Sequence, residues 1–346
     1  ALVTLDYSVR NVDELRDIVE MAARCSAGGE IRAEHVFSGP GEDDPPGLSL
    51  GRPSLLMRFI GGGGLSWIRG LTLLSFLVVI VLCLAAEASL VGRLANGFVW
   101  TIWEPGVFAM FLLVGALWCM ICPLSSAARL AKRAIGIERP PPRWVGNQFL
   151  TAAIPMFGFL VILWVEAVFH MTEMPIGTGY LLLALILASV VFAVLYKREV
   201  WCRYVCPLGR LAVVLAPAAS ITVAADRHLC ASTCTTHDCY QGRDQIPGCS
   251  VFRHPMNTAE AHYCKLCGDC LESCPHESTH LTLRPPGMGS VGLVDTGRYP
   301  SAFAFSLLLL APLFLVAPTT GLLERPSILG VLGIVAVLLG LLLGWR

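Results

Sequence analysis

Long apolar runs broken by short polar ones set the pattern of this chain. Six stretches are long enough to cross a hydrocarbon core of about 30 Å as helices: residues 70–91, 106–122, 149–170, 178–196, 300–318 and 327–345. Leu211 to Ala225 is also apolar, but it is short, contains Pro217 and runs into the β-branched ITVAAD, which reads as a strand and stays out of the membrane. The pattern turns polar between the fourth and fifth spans, over residues 226–299, and again before the first. The divisions that result are an N-terminal segment 1–37, a Gly/Pro-rich linker 38–64, a membrane region 65–225, a hydrophilic insert 226–299 and a C-terminal pair of spans in 300–346.

Composition agrees with an integral membrane protein. The chain of 346 residues is 55% hydrophobic and 14% charged, with a mean hydropathy of +0.66. A formal net charge of zero gives no bulk attraction to nucleic acid, and no direct nucleic-acid partner is expected. Arg129, Lys132, Arg133, Arg139 and Arg143 follow the second span; Lys197, Arg198, Arg203 and Arg210 follow the fourth. The opposite loops carry Glu87, Glu104, Glu166, Glu173 and Glu324. The positive-inside rule then puts both basic loops, the insert and both termini in the cytoplasm. Lacking an initiating Met or a signal-peptide pattern, the chain reads as the later part of a longer polypeptide.

Cysteine is the chemical signal. Ten of the fourteen cysteines fall between Cys202 and Cys274, a clustering that favours metal over scattered packing roles. CKLCGDCLESCP sets Cys264, Cys267, Cys270 and Cys274 at gaps of two, two and three residues, followed by Pro275. This is the bacterial ferredoxin run for a 4Fe-4S cluster, in which the cysteine before proline serves the other cluster of a pair. Zinc sites pair two CxxC units across a longer gap, and disulfides are disfavoured on a cytoplasmic face. Cys230, Cys234, Cys239 and Cys249 follow a looser spacing. They still supply three near ligands and one distant one, so two clusters can be written: Cys230, Cys234 and Cys239 with Cys274, and Cys264, Cys267 and Cys270 with Cys249. ITVAAD and THLTLRP flank the insert as candidate paired strands. The predicted fold class is thus an α-helical membrane protein with six transmembrane helices plus a small cytoplasmic α+β insert resembling a two-cluster ferredoxin.

A second signal is repeated. WCMICPLS closes the first pair of spans and WCRYVCPLG the second, an internal duplication of a hairpin that ends in a cysteine pair and a proline. Hairpins packed side by side bring Cys119, Cys122, Cys202 and Cys206 together at the membrane edge. Spacing alone leaves open a third iron-sulfur or metal centre, a reactive dithiol pair, or ordinary buried cysteines. Cys25 and Cys83 stand alone and read as packing residues.

Two tryptophan-cysteine-CP elements after hairpins, then a ferredoxin insert and further spans, resemble the membrane polyferredoxins of the NapH and NosR kind over about residues 65–345. The resemblance implies a multi-pass protein of a prokaryotic inner membrane that moves electrons between the quinone pool and a redox partner protein, as a quinol-dehydrogenase component. This chain departs from the pattern in having CxxCP rather than CxxxCP at its first element, an irregular first ferredoxin run, and no extracytoplasmic flavin domain. A quinol needs a proton acceptor near an apolar pocket, and Glu166 and His170, toward the outer end of the third span, are the candidates. Residues 7–37 resemble the helical lid that ends the AAA+ domain of sigma-54-dependent activators, with Asn11, Val12, Glu14 and Leu15 matching and Gly28, Gly29, Ile31, Glu34 and His35 in register. Asp13 stands where that family carries its nucleotide-sensing arginine, and a carboxylate repels phosphate, so the lid is degenerate; an unrelated amphipathic helix pair fits the same residues. The fragment motivates one alternative, a membrane redox sensor signalling through an N-terminal module. The CP dithiols motivate another, a metal reductase or maturation factor.

Overall fold

The computed structural model describes residues 48–49, 63–137, 139–196, 199–215, 219–226, 229–230, 233–243, 246–249, 255, 264–283, 285, 306 and 326–345. The lid-like segment and most of the fifth predicted span lie outside the described residues. In chain order the elements are β1 (Leu48–Ser49), α1 (Leu65–Ala85), α2 (Leu90–Gly97), a π-helical turn (Phe98–Trp103), α3 (Glu104–Leu113), α4 (Leu117–Ile121) and α5 (Pro123–Ile135). Then come α6 (Gln148–Phe169), α7 (Pro175–Leu195), a second π-helical turn (Trp201–Val205), α8 (Pro207–Leu215), β2 (Ile221–Ala225), α9 (Asp238–Gln241), β3 (Gly242–Arg243) and β4 (Ile246–Pro247). The last are α10 (Asp269–Ser273), β5 (Thr279–Leu283) and α11 (Pro326–Trp345).

Three helices among the described residues are long and apolar enough to cross a membrane: Leu65–Ala85, Phe149–Phe169 and Pro175–Leu195. Helix α1 shows how such a sequence divides its faces. Leu71, Leu74, Val78 and Val81, at helical spacing, are exposed, while Arg69, Phe76, Ile80 and Cys83 are buried. The exposed row suits lipid, and Trp67 beside it, 82% exposed, suits the interfacial belt. Helix α7 packs between α1 and α5, and α11 lies against α6. Pro155 interrupts α6 and has no N–H to offer the Thr151 carbonyl one turn back. Arg210 of α8 donates to that carbonyl instead, at 3.2 Å.

The second predicted span is corrected. Helical structure runs from Leu90 through the π-helical turn to Leu113 and stops there, so this helical run begins earlier than residue 106 and ends before the CP element. Glu104, expected in an outer loop, lies inside it. The break has a clear cause. Gly115 takes φ +102° and any Cβ there would sit 2.6 Å from Ala219 Cβ, while the Val114 carbonyl, released from the helix, accepts the Ile221 amide of β2 at 3.3 Å. The helix ends where the insert docks.

Strands β2 and β5 pair antiparallel with Val223 opposite Leu281, as their alternation predicts, and β1 adds to the other edge of β5. Val223 and Leu281 join Leu266 and Leu271 of the insert in one core with Leu65, Phe111, Met120, Met156 and Leu211 of the helices. Sheet and helices therefore share a hydrophobic centre.

Candidate iron-sulfur sites

The two CP elements adopt the same local structure. Proline forces the residue before it out of the α region and is well placed at the first helical position. Cys122 (φ −58°, ψ 126°) and Cys206 (φ −63°, ψ 118°) accordingly lie extended, with Pro123 opening α5 and Pro207 opening α8. Each thiol then overhangs a helix N-terminus. The amides of Ser125 and Leu124 point at Cys122 Sγ, and the Gly209 amide donates to Cys206 Sγ at 3.4 Å. Gly209 has to be glycine, because a Cβ there would come within 2.6 Å of the Cys202 carbonyl oxygen. Carbonyls at the end of α4 are met by α1: Arg69 Nε donates to Met120 O at 3.0 Å and Thr72 Oγ1 to Ile121 O at 2.8 Å.

The structure brings these four cysteines into mutual electrostatic reach. Cys119 feels Cys122 and Cys206, and Cys202 feels Cys206 and Cys122. The ferredoxin cysteines fall into two further groups. Cys230, Cys234, Cys239 and Cys274 line one cavity with Pro275 and His276. Cys270 lies within electrostatic reach of Cys267, Cys264 and Cys249, and also of Cys239 in the first group. Burial raises the Cys230, Cys239, Cys267 and Cys270 thiols above the ordinary thiol range, so thiolates in these places need a compensating positive centre. Polar contacts to sulfur are in place: Ser278 N donates to Cys274 Sγ at 3.2 Å, Leu266 N to Cys264 Sγ at 3.5 Å, and Ser278 Oγ lies 3.1 Å from Cys230 Sγ. His237 sits beside Cys234, with Nδ1 4.0 Å from its sulfur.

Among the described residues no three His, Cys, Asp or Glu side chains converge as a single metal ion requires. A four-iron cluster gives each thiolate its own iron and so fits a wider ring of sulfurs. The residues suit such a cluster on two further grounds. The indole N–H groups of Trp118 and Trp201, next to Cys119 and Cys202, and the ammonium of Lys265 are buried without hydrogen-bond partners among the described residues. Buried donors call for acceptors, and the sulfur atoms of a cluster would supply them.

A buried ionic network locks the insert to both hairpins. Asp269, 1% exposed, is held by Arg69 of α1 at 3.4 Å and by Arg129 of α5. Arg69 also binds Glu272 at 3.0 Å and donates to the Cys267 carbonyl at 2.6 Å, and Arg129 reaches Glu199 at 3.2 Å. Burial opposes the charge on Arg129, but Glu199 and Asp269 outweigh it and hold the guanidinium protonated well beyond its usual range. Sequence reasoning passed over Arg69, Glu199 and Asp269. An arginine inside an otherwise apolar helix was the available signal, since such residues default to function or pairing.

Glu166 and His170 lie at the other end of α6 from its N-terminal Asn147, about 28 Å along the axis at 1.5 Å per residue. Glu166 is half-buried and His170, which caps α6 in the left-handed conformation at φ 45°, is exposed. Glu104 comes within electrostatic reach of Glu166, a proximity between helices that the sequence did not disclose.

A family model described as a 4Fe-4S binding domain matches residues 96–140 and 178–218, the two stretches that contain the CP elements. Ferredoxin-type protein NapH of Escherichia coli (strain K12) is 29% identical over 198 residues, which cover 51% of this chain and 66% of NapH, just under two thirds of that relative's length. No solved structure matches the chain. With the three apolar helices, these likenesses support a mostly helical, iron-sulfur protein of the ferredoxin type that resembles NapH and carries membrane helices.

Proposed function

We propose that this chain is a membrane electron carrier with three 4Fe-4S clusters, passing electrons between the quinone pool and a redox partner protein at the cytoplasmic face. Cys119, Cys122, Cys202 and Cys206 would hold the cluster nearest the membrane. Cys264, Cys267, Cys270 and Cys249 would hold the next, and Cys230, Cys234, Cys239 and Cys274 the third. Bound clusters supply one-electron storage at potentials set by charge, hydrogen bonds to sulfur and exposure. One observation carries the reading: the loop bearing Cys264 and Cys267 packs Leu266 into the core it shares with the helices and is clamped through Asp269 to Arg69 of α1 and Arg129 of α5, and Arg129 in turn bridges to Glu199 beside the second CP element. Neighbouring groups of thiols are thereby fixed against each other by buried contacts. A rigid route of this kind serves electron transfer better than a signalling hinge would.

At the membrane end, Glu166 and Glu104 would take the two protons that a quinol releases as its two electrons leave singly, with His170 at the exposed rim of that site. Ionisable groups within spans face functional interiors by default. The cytoplasmic clusters would then deliver electrons to a redox partner protein.

Iron and sulfide content of the anaerobically purified chain tests the reading, alongside a variant with Cys119, Cys122, Cys202 and Cys206 all changed to alanine. About twelve irons falling to about eight in the variant are expected from three clusters. About eight in both would return the CP cysteines to a thiol role and favour dithiol chemistry. For the quinol end, Glu166→Gln is expected to slow cluster reduction by a quinol analogue with iron content unchanged. An unaltered rate would remove Glu166 from the mechanism.

A further inference from the structure

Among the described residues three cations lie where the insert meets the hairpins, and two of them are matched. Arg69 faces Asp269 and Glu272, and Arg129 faces Asp269 and Glu199. Lys265 is different. It is 4% exposed, and its Nζ has no hydrogen-bond partner among the described residues. An ammonium has three protons to donate and is strongly hydrated in water, so a dry, unpaired one is a demand for an anion. Burial pushes against its charge, and the groups near enough to act the other way are Cys202, Glu199, Cys119 and Cys206. Each of those three cysteines in turn has Lys265 as the cation acting on it. The lysine is carried by the ferredoxin run, next to Cys264, yet it points to cysteines of the two CP elements. Leu266, the next residue, holds it there. Its backbone takes the left-handed conformation at φ 49°, and its side chain is buried in the core shared with the membrane helices.

We propose that Lys265 is the counter-charge of a cluster held by Cys119, Cys122, Cys202 and Cys206, and that it raises the potential of that cluster from its seat in the neighbouring one. The inference rests on the three-cluster reading above. A four-iron core with four thiolates is anionic and gains one more negative charge on taking up an electron. A fixed ammonium beside it stabilises both states, the reduced one more. No bond breaks and the proton stays on Nζ. Lys265 is therefore a positioning charge that biases electrons toward the CP site. Because the same short loop carries Cys264, the potentials of the two centres are coupled through one piece of chain.

The test is a potentiometric EPR titration of the full-length chain, anaerobically purified, as wild type, Lys265→Met and Lys265→Arg. The CP signal is identified as the one missing when the four CP cysteines are replaced. Lys265→Met is expected to keep its iron while the reduced-to-oxidised ratio of that signal at the wild-type midpoint falls about tenfold, a shift of about 59 mV to lower potential. The other signals should move less, and Lys265→Arg should stay close to wild type. An unmoved CP midpoint in a fully loaded Lys265→Met protein overturns the proposal. Should Lys265→Met fail to load the CP cluster, Lys265→Gln and Lys265→Arg decide. Loading by Arg alone supports the counter-charge; loading by both at one midpoint, or by neither, defeats it. If the variant without CP cysteines retains all its iron, the three-cluster reading falls and takes this inference with it, a result distinct from an unmoved potential.

Discussion

At the scale of single residues, the buried charges decide how the insert sits. Asp269 is surrounded by two guanidinium groups and is almost inaccessible to water. Removing one partner of a buried pair leaves an uncompensated charge, and the cost is typically about 3–5 kcal/mol. Arg69→Ala is therefore expected to lower the thermal unfolding midpoint and to release iron from the insert, as measured by calorimetry and iron analysis of detergent-solubilised protein. Arg69→Lys should recover little of this, because one ammonium cannot reproduce the fork that reaches Met120 O, Cys267 O and Glu272 together. An unfolding midpoint and iron content within error of wild type for Arg69→Ala would show that the clamp is not what holds the insert.

At the scale of elements, glycine and proline place the cysteines. Gly268 takes φ +83°, and a Cβ on it would lie 2.8 Å from Leu65 Cδ2 and 3.3 Å from Met120 Cγ. Gly268→Ala is expected to cost about 1–3 kcal/mol through backbone strain and to push α10 away from α1, with loss of iron on purification. Gly106 offers the control. It lies inside α3 with nothing near its missing Cβ, so Gly106→Ala should leave stability unchanged or raise it by up to about 1 kcal/mol. Equal effects of the two substitutions would show that close approach at Gly268 is unimportant. The CP elements were readable at this scale because Cys-Pro dictates its own conformation, an extended cysteine followed by a helix start. The break at Val114–Ala116 was not readable. Residues 106–122 are apolar throughout, and only the docking of Ala219 and Ile221 gives the chain a reason to stop the helix at Gly115.

For the whole molecule, the described part of the insert docks at the CP-element end of the helices, where Arg69, Arg129 and Glu199 gather around Asp269. With the positive-inside rule, this predicts a cytoplasmic position for that end. A reporter active only outside the cytoplasm should be active when inserted at residues 86–88 and silent at residues 136–140. The opposite pattern would invert the topology. The shared core of insert and membrane helices also predicts that cluster removal loosens both. After iron chelation, amide hydrogen exchange should accelerate in β2 and β5 and in α4, whereas the lipid-facing length of α7 should stay protected.

The sequence by itself determined the membrane character, the iron-sulfur chemistry and the duplicated CP element. Each of these is written in local pattern: apolar run length, cysteine spacing, and a proline acting on the residue before it. Tertiary structure alone decided which charges meet. Arg69 and Asp269 are two hundred positions apart, Glu104 and Glu166 lie on different helices, and Lys265 belongs to one cysteine run while lying within electrostatic reach of another. Such encounters carry no periodic or spacing signal. They arise only when buried apolar surface brings separate elements together and the low-dielectric interior makes the charges depend on one another.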